Sequence, residues 1–444
     1  MRNIVFCFGL VCAMLCGLMS PMWGYMVVTL LSIVQLLALS SAGSSAFLLV
    51  HYASILTYFS LAPAVQISMH LDFWGVGVVR DNAHQEALLL LLLYMGGVEL
   101  ARVALTDTQP AAPRPLPHRE PPWRTSAPMV AHPLALLLCA LAAFGLLLTR
   151  PDLNFVARGV VSEVELRPAD LIFYSTVPKT MVLLCFSALA IHAVSTRTAW
   201  AWLVAAAALL LAAIAANPVN TARQILLIGL LPLFIHFLAA RRPWLLALLI
   251  FGAIAGLGPL FNFLSRGELY GAALTIFPFS EDFDAQFVVA ALLERVPAHD
   301  WGYGRYLLSA ASFLMPRDLK LFPDFDPLSW PEVLGNFSQR NLSLPPFSTA
   351  YFDFGLLGPV LLGFSLSVGF TVVDRVVQSQ RALSCSYLCS LVLLAAYVPF
   401  LRGPILGWGP FAASGVITAL VVGALCSFPG RTGLRTAVHP YPRA

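Results

Sequence analysis

Residues 199–240 read AWAWLVAAAALLLAAIAANPVNTARQILLIGLLPLFIHFLAA. Two apolar runs, 199–216 and 221–240, each reach the roughly 20 residues that cross a hydrocarbon core. Only Ala216-Asn217-Pro218-Val219-Asn220 divides them. A run this apolar on every face has no solvated side, so this stretch predicts two membrane helices joined by a tight turn. Arg223 falls just inside the second one. A charge at membrane depth is expensive, by about 2.5–3.5 kcal/mol on insertion scales, so it marks either a snorkelling side chain or a site. The neighbouring Asn217, Pro218 and Asn220 mark a non-lipid environment.

The same pattern extends over the whole chain. Its 444 residues are 59% hydrophobic and 11% charged, with a mean hydropathy of +0.81. Soluble domains carry about 25% charged residues, so most of this surface faces lipid. Twelve spans are predicted: 3–20, 22–40, 45–68, 85–105, 132–149, 170–194, 199–216, 221–240, 243–264, 350–373, 383–401 and 405–427. The expected fold class is all-α, a polytopic integral membrane protein of about 12 helices. Residues 1–264 form a membrane domain of nine helices, 350–427 add three more, and 428–444 make a tail. Ile4–Met19 lacks a small-x-small cleavage site and leads straight into the next run, so it is read as the first helix rather than a signal peptide. A net charge of +4 argues for no nucleic-acid partner; where the charges sit decides more than their sum. The eight cysteines all lie in apolar runs, which suits small packing residues better than disulfides, and no metal-ligand spacing occurs.

Orientation follows from arginine. With Arg2 inside, one face collects Arg102, Arg114, Arg119, Arg124, Arg197, Arg241, Arg242, Arg375, Arg381, Arg431, Arg435 and Arg443. The positive-inside rule then places both termini in the cytoplasm. Residues 106–131, rich in proline, are expected to be an extended cytoplasmic linker without chemistry. Residues 265–349 form one large extracytoplasmic loop, far longer than ordinary connections. Its fourteen aromatics argue against disorder. Asp284–Val296 is predicted as a short amphipathic helix capped by Asp282 or Asp284 and stopped by Pro297. Arg305–Leu314 is a second apolar run. Both are expected to lie along the membrane surface.

Cationic residues gather on that outer side: Lys179, Arg223, Arg266, Arg295, Arg305, Arg317, Lys320 and Arg340. Arginine grips phosphate through a planar bidentate fork and lysine as a point charge, so a lipid pyrophosphate fits both charge and depth. The plainer reading of any one residue is a snorkelling or surface side chain. The loop also holds ten carboxylates against six bases, for a net −4. Carboxylates mixed with rings suit a sugar, whose hydroxyls donate to the acids and whose apolar faces stack on rings. A carboxylate could also deprotonate an attacking hydroxyl. For any one acid a solvated surface role is the commoner case. His51, His192, His236 and His299 are accounted for by packing or solvent. The sequons at Asn336 and Asn341 carry no weight.

Four motifs give the chain a family likeness: Asn220-Thr221-Ala222-Arg223; Gly302-Tyr303-Gly304-Arg305-Tyr306-Leu307-Leu308-Ser309; Met315-Pro316-Arg317-Asp318-Leu319-Lys320; and Ser348-Thr349-Ala350-Tyr351-Phe352-Asp353-Phe354-Gly355-Leu356-Leu357-Gly358. On these the chain resembles the Wzy-type O-antigen polymerases of bacterial inner membranes, over residues 200–375 by motif and throughout by topology. Ser348-Thr349-Ala350 stands where members often carry Gly-Glu, which leaves that acidic role to Asp353. The resemblance implies a glycosyltransferase that moves a growing glycan from undecaprenyl pyrophosphate onto a new lipid-linked repeat unit. It implies an undecaprenyl-pyrophosphate-linked oligosaccharide and membrane lipid as partners, with a chain-length regulator protein beside them, and no cofactor. Arg223, Arg305, Arg317, Lys320, Arg266, Arg340 and Lys179 are then the pyrophosphate candidates. Asp353, Asp318 and Glu268 are the catalytic candidates, and Trp301, Tyr303, Tyr306 and Tyr351 the glycan-stacking ones. The competing readings are an O-antigen ligase and a non-enzymatic flippase or transporter. Transporters place ionisable residues near the midplane and often show internal repeats; no repeat is visible in this sequence.

Overall fold

A computed structural model of the chain describes residues 2–41, 45–73, 76–106, 133–155, 172–217, 220–261, 263–264, 276–296, 301–311, 335, 337, 342–379, 383–403 and 405–427. Long helices follow the apolar runs in order: α1 (Arg2–Met19), α2 (Pro21–Ser41), α3 (Ala46–Ser68), α4 (Asp81–Thr106), α5 (Pro133–Thr149), α6 (Ile172–Thr196), α7 (Ala199–Ala215), α8 (Arg223–Leu238) and α9 (Pro243–Phe261). Then come α10 (Ala285–Arg295), α11 (Arg305–Ala311), α12 (Pro346–Phe354), α13 (Leu357–Ser379), α14 (Cys385–Arg402) and α15 (Ile405–Ser427). No strand occurs among the described residues. Eight of these helices are long and apolar enough to cross a membrane, and α1, α5, α7 and α8 are shorter apolar ones. The protein is therefore an all-helical, multi-pass membrane protein.

The reason is visible on the helix surfaces. Leu203, Leu209 and Leu210 on α7, and Leu361 and Val372 on α13, are at least half exposed, which is tolerable only in lipid. Inner faces are held together by close approach. At the crossing of α4 and α13 a methyl group on Gly97 would meet the Val360 carbonyl oxygen at 2.2 Å, and one on Gly363 the Tyr94 oxygen at 2.3 Å. Glycine at both positions lets the two backbones touch.

The turn at Asn217–Asn220 divides α7 from α8 as predicted, with Thr221 N–H donating to Asn217 O at 2.9 Å. Two other expectations are corrected. The predicted tenth span, 350–373, is not one helix: it breaks at Gly355, whose φ of +62° lies in the left-handed region open to glycine. Nor does the 284–296 segment lie on the surface of the bundle, and the approach to the tenth span is buried too. Residues 342–350 are buried, and the Phe347 ring stacks on Tyr94 at 5.4 Å. Tyr94 is 13 residues into α4, about 20 Å along its axis. The chain thus re-enters the bundle, rises through α12 and turns back at Gly355 into α13. Helix α10 is likewise embedded: Ala285 to Leu293 are all buried. Gln286 Nε2 donates to Tyr25 Oη at 2.9 Å and to Ala87 O at 2.8 Å. Its apolar residues surround the helix instead of forming one stripe, so they bury on all sides.

Because successive long helices alternate in direction, the ends of α3, α9 and α14 and the starts of α4, α6 and α8 fall on one side of the bundle, where α10 and α12 also enter. Three π-helical stretches fall in the parts of their helices nearest that side: Ile55–Leu61, Ile172–Thr176 and Ala253–Leu257. Such bulges frequently mark functional positions because they re-aim side chains.

Candidate functional site

Arg223 is the first residue of α8, and Ala222 before it makes no side-chain cap. Its guanidinium reaches across to Asp282, on the short 3-10 turn Glu281–Phe283, and forms an ion pair with it. The last residue of α14 completes the group: Arg402 Nη2 lies 3.5 Å from Asp282 Oδ1 and 3.9 Å from Asp284 Oδ1. The Asp282 and Asp284 side chains are 4% and 0% exposed. Two guanidiniums and two carboxylates are thus gathered from α8, α14 and the entrance to α10. Asp284 occupies the N-cap position of α10 but makes no side-chain cap bond there; with Asp282 it faces arginine instead.

Neighbouring groups shape the cluster. Tyr58, in the first π-helical stretch, is within electrostatic reach of Arg223, Arg402 and Asp282, and its ring lies 5.9 Å from Phe283. A methyl group on Gly258, just after the third such stretch, would sit 3.6 Å from Arg223 Nη1 and 3.8 Å from Asp282 Oδ2. Gln66 fixes the turn by donating Nε2 to Pro278 O at 2.9 Å and Phe283 O at 3.1 Å. Gln66 also lines a cavity of about 200 Å³ with His70, Arg80, His84 and Phe287. Above that cavity Arg80 Nε meets Glu294 Oε1 at 2.7 Å. Burial pushes the Glu294 carboxyl up, but the backbone and side-chain donors of Arg80 outweigh it and hold it below its ordinary value.

The other predicted residues are dispersed. Lys179 is buried in α6 and donates to Asn220 Oδ1, whose Nδ2 in turn donates to Leu153 O at 3.0 Å. Asp353 is fully buried. Its Oδ1 accepts from Tyr306 N–H at 3.0 Å and its Oδ2 from Leu307 N–H at 2.8 Å. It therefore caps α11 from a neighbouring element, satisfying two orphan donors of the first turn. Gly302 N–H to Phe352 O at 3.0 Å and Tyr303 N–H to Asp353 O at 3.1 Å complete the attachment. Trp301 packs edge-on against Tyr351 at 5.8 Å, and Tyr306 against Phe352 at 6.4 Å. Tyr303 is 79% exposed, and Arg305 is exposed beside it. Asp318, Glu268, Arg317, Lys320, Arg266 and Arg340 lie outside the described residues, as do Asn336 and Asn341 of the two sequons.

The residue that sequence reasoning passed over is Arg402. Its signal was present: a lone arginine in Pro399-Phe400-Leu401-Arg402-Gly403-Pro404 at the end of a span, on the face where arginines are otherwise sparse. No family model matches this chain, and no curated protein or solved structure matches it either.

Proposed function

We propose that this protein is a glycosyltransferase that polymerises undecaprenyl-pyrophosphate-linked oligosaccharide units on the extracytoplasmic face of a bacterial inner membrane. In this reading twelve spans cross the membrane, both termini are cytoplasmic, and the Arg223 end faces outward with the 265–349 segment. The observation that carries it is the convergence of Arg223 and Arg402, from two different helices, in one buried cluster at the helix ends. In this orientation that is the depth of a lipid headgroup. Two guanidiniums offer paired, charge-assisted donors matched to the two phosphates of a pyrophosphate. As the glycan leaves, negative charge grows on the pyrophosphate, and pre-placed cations stabilise it without reorganising. The exposed Trp301, with the half-buried Tyr351 against it, supplies rings for sugar faces, and the cavity beside Gln66 supplies space. The gathering of charge at helix ends, rather than at the midplane, favours this reading over a transporter.

Deleting the coding gene tests it. The expected result is lipid A core bearing a single repeat unit, because ligation continues without polymerisation. Core with no unit, and polymer accumulating on its lipid carrier, would identify a ligase instead. Unchanged glycan with altered solute uptake would identify a transporter.

A further inference from the structure

Resting on the pyrophosphate reading above, we propose that the cavity beside Gln66 binds the terminal sugar of the acceptor unit. The cavity, of about 200 Å³, lies where the end of α3, the start of α4 and α10 meet. That is the side of the bundle on which Arg223 stands. Drug-sized ligands occupy roughly 300–1,000 Å³, so this space suits a single pyranose ring. Its walls are fastened to one another. Gln66 on α3 donates Nε2 to Pro278 O and Phe283 O. Tyr25 Oη donates to His84 O on α4 at 3.3 Å and accepts from Gln286 Nε2 on α10 at 2.9 Å. Arg80, just before α4, grips Glu294 of α10 twice, through Nε at 2.7 Å and its backbone N–H at 2.8 Å. The cavity is thus pre-formed, as ligand sites usually are.

The lining has the chemistry of a sugar site. The Asp81 carboxylate accepts from hydroxyls, and the His70 and His84 imidazoles can donate and accept. Phe287, buried on α10, offers an apolar wall to ring C–H groups. Gln66 is 3% exposed, and its Oε1 is buried with no partner among the described residues. Such an acceptor costs free energy until a donor reaches it, and a sugar hydroxyl is a donor. An isoprenoid tail would instead desolvate Arg80 and Asp81 without offering them a partner.

Which sugar enters follows from what stands between the cavity and the cluster. None of Arg223, Arg402, Asp282, Asp284 and Tyr58 lines the cavity. A sugar bonded directly to a pyrophosphate between the arginines would touch at least one of them. Gln66 separates the two places, because its amide holds the carbonyl of Phe283, the residue between Asp282 and Asp284. A ring in the cavity is therefore one sugar removed from the pyrophosphate, where the end of an acceptor must wait.

The probe is the repeat-unit oligosaccharide freed from its carrier by mild acid, which has no pyrophosphate and can bind only as an acceptor does. Titration calorimetry of the full chain in nanodiscs reads its binding, with undecaprenyl pyrophosphate titrated in parallel. Wild type is expected to bind both. Val78 lines the cavity and is 67% exposed, so Val78→Trp fills the space without disturbing the core. It should abolish oligosaccharide binding and leave undecaprenyl pyrophosphate binding unchanged. Asp81→Asn should weaken the oligosaccharide about 10-fold, the lower end for a hydrogen bond to a charged group, and also spare undecaprenyl pyrophosphate. Full oligosaccharide binding by both variants overturns the acceptor site. So does its absence in wild type at millimolar concentration, a measurement that needs no variant to fold. Loss of undecaprenyl pyrophosphate binding in both variants makes the cavity part of the donor site and overturns it as well. A wild type that binds the oligosaccharide but not undecaprenyl pyrophosphate removes the pyrophosphate reading, and the acceptor role with it, while the sugar site stands.

Discussion

Arg223 and Arg305 are two arginines that one motif-level argument treats alike, yet they end in opposite settings. Arg223 lies at a helix end inside the bundle, paired with a buried carboxylate and joined by Arg402. Arg305 opens α11 on an arm whose neighbour Tyr303 is 79% exposed. The difference teaches that an arginine's worth in this fold follows from what its removal would leave behind. Taking away Arg223 leaves two buried carboxylates to Arg402 alone, whereas taking away Arg305 removes an exposed side chain.

The largest effect should come from the cluster. Arg223→Ala is expected to abolish polymer and to destabilise the protein by about 3–5 kcal/mol, the cost of breaking a buried pair. The double variant Arg223→Ala/Asp282→Asn should regain much of that stability in thermal unfolding yet still make no polymer. Recovery of polymer in the double variant would mean that Arg223 only holds the fold.

Asp353 comes next, and it separates two roles cleanly. As a cap on α11, Asp353→Ala should cost about 0.5–2 kcal/mol and loosen the arm, while Asp353→Asn, also a good cap, should leave polymerisation near normal. A glycan ladder lost in Asp353→Asn would restore the general-base role that the sequence suggests. Arg305→Ala should be milder still, within about 0.5 kcal/mol of wild type in stability, as for other surface positions. The same gel, normalised to membrane protein level, reads the Arg305 variant. Loss of its polymer would show that the arm closes onto the cluster.

Smallest of all is the exposed pair Arg80–Glu294, whose side chains are 67% and 24% exposed. Arg80→Ala should cost about 0.2–1 kcal/mol. The Glu294 pKa is depressed in the folded protein. Its contribution is therefore present above the unfolded carboxylate pKa and is lost as pH falls through the folded value. In Arg80→Ala, the loss of thermal stability on acidification should be correspondingly shallower. An unchanged acid limb would show the pair to be energetically silent.

Much of the membrane architecture was legible in the sequence because lipid imposes a coarse rule. Among the described residues eight long apolar helices and four shorter ones follow the apolar runs, although 350–373 breaks at Gly355, and even the short divide between α7 and α8 was readable. The fate of residues between 276 and 354 was not. Ala285-Gln286-Phe287-Val288-Val289-Ala290-Ala291-Leu292-Leu293 has the length of a surface helix and the burial of a core helix, and length alone misplaces it. Pro346–Phe354 dips into the bundle because Phe347 finds Phe59 and Tyr94 there, contacts hundreds of residues away in sequence. In the site, Arg223 was legible from the cost of charge at depth. Arg402 carried a similar signal and was passed over; the pairing of Asp282 was not legible, because no local pattern records which carboxylate meets which arginine across three helices.

Binding of undecaprenyl pyrophosphate to the purified protein in nanodiscs tests the pyrophosphate site most directly, with Arg402→Lys as the decisive variant because it keeps the charge and removes the fork. The account expects Arg402→Lys to weaken binding about 10- to 100-fold, corresponding to about 1.5–3 kcal/mol for a hydrogen bond to a charged group, and Arg305→Ala to leave it unchanged. Equal affinity in wild type and Arg402→Lys, with weakened binding in Arg305→Ala, would place the pyrophosphate on the exposed arm and contradict the buried site.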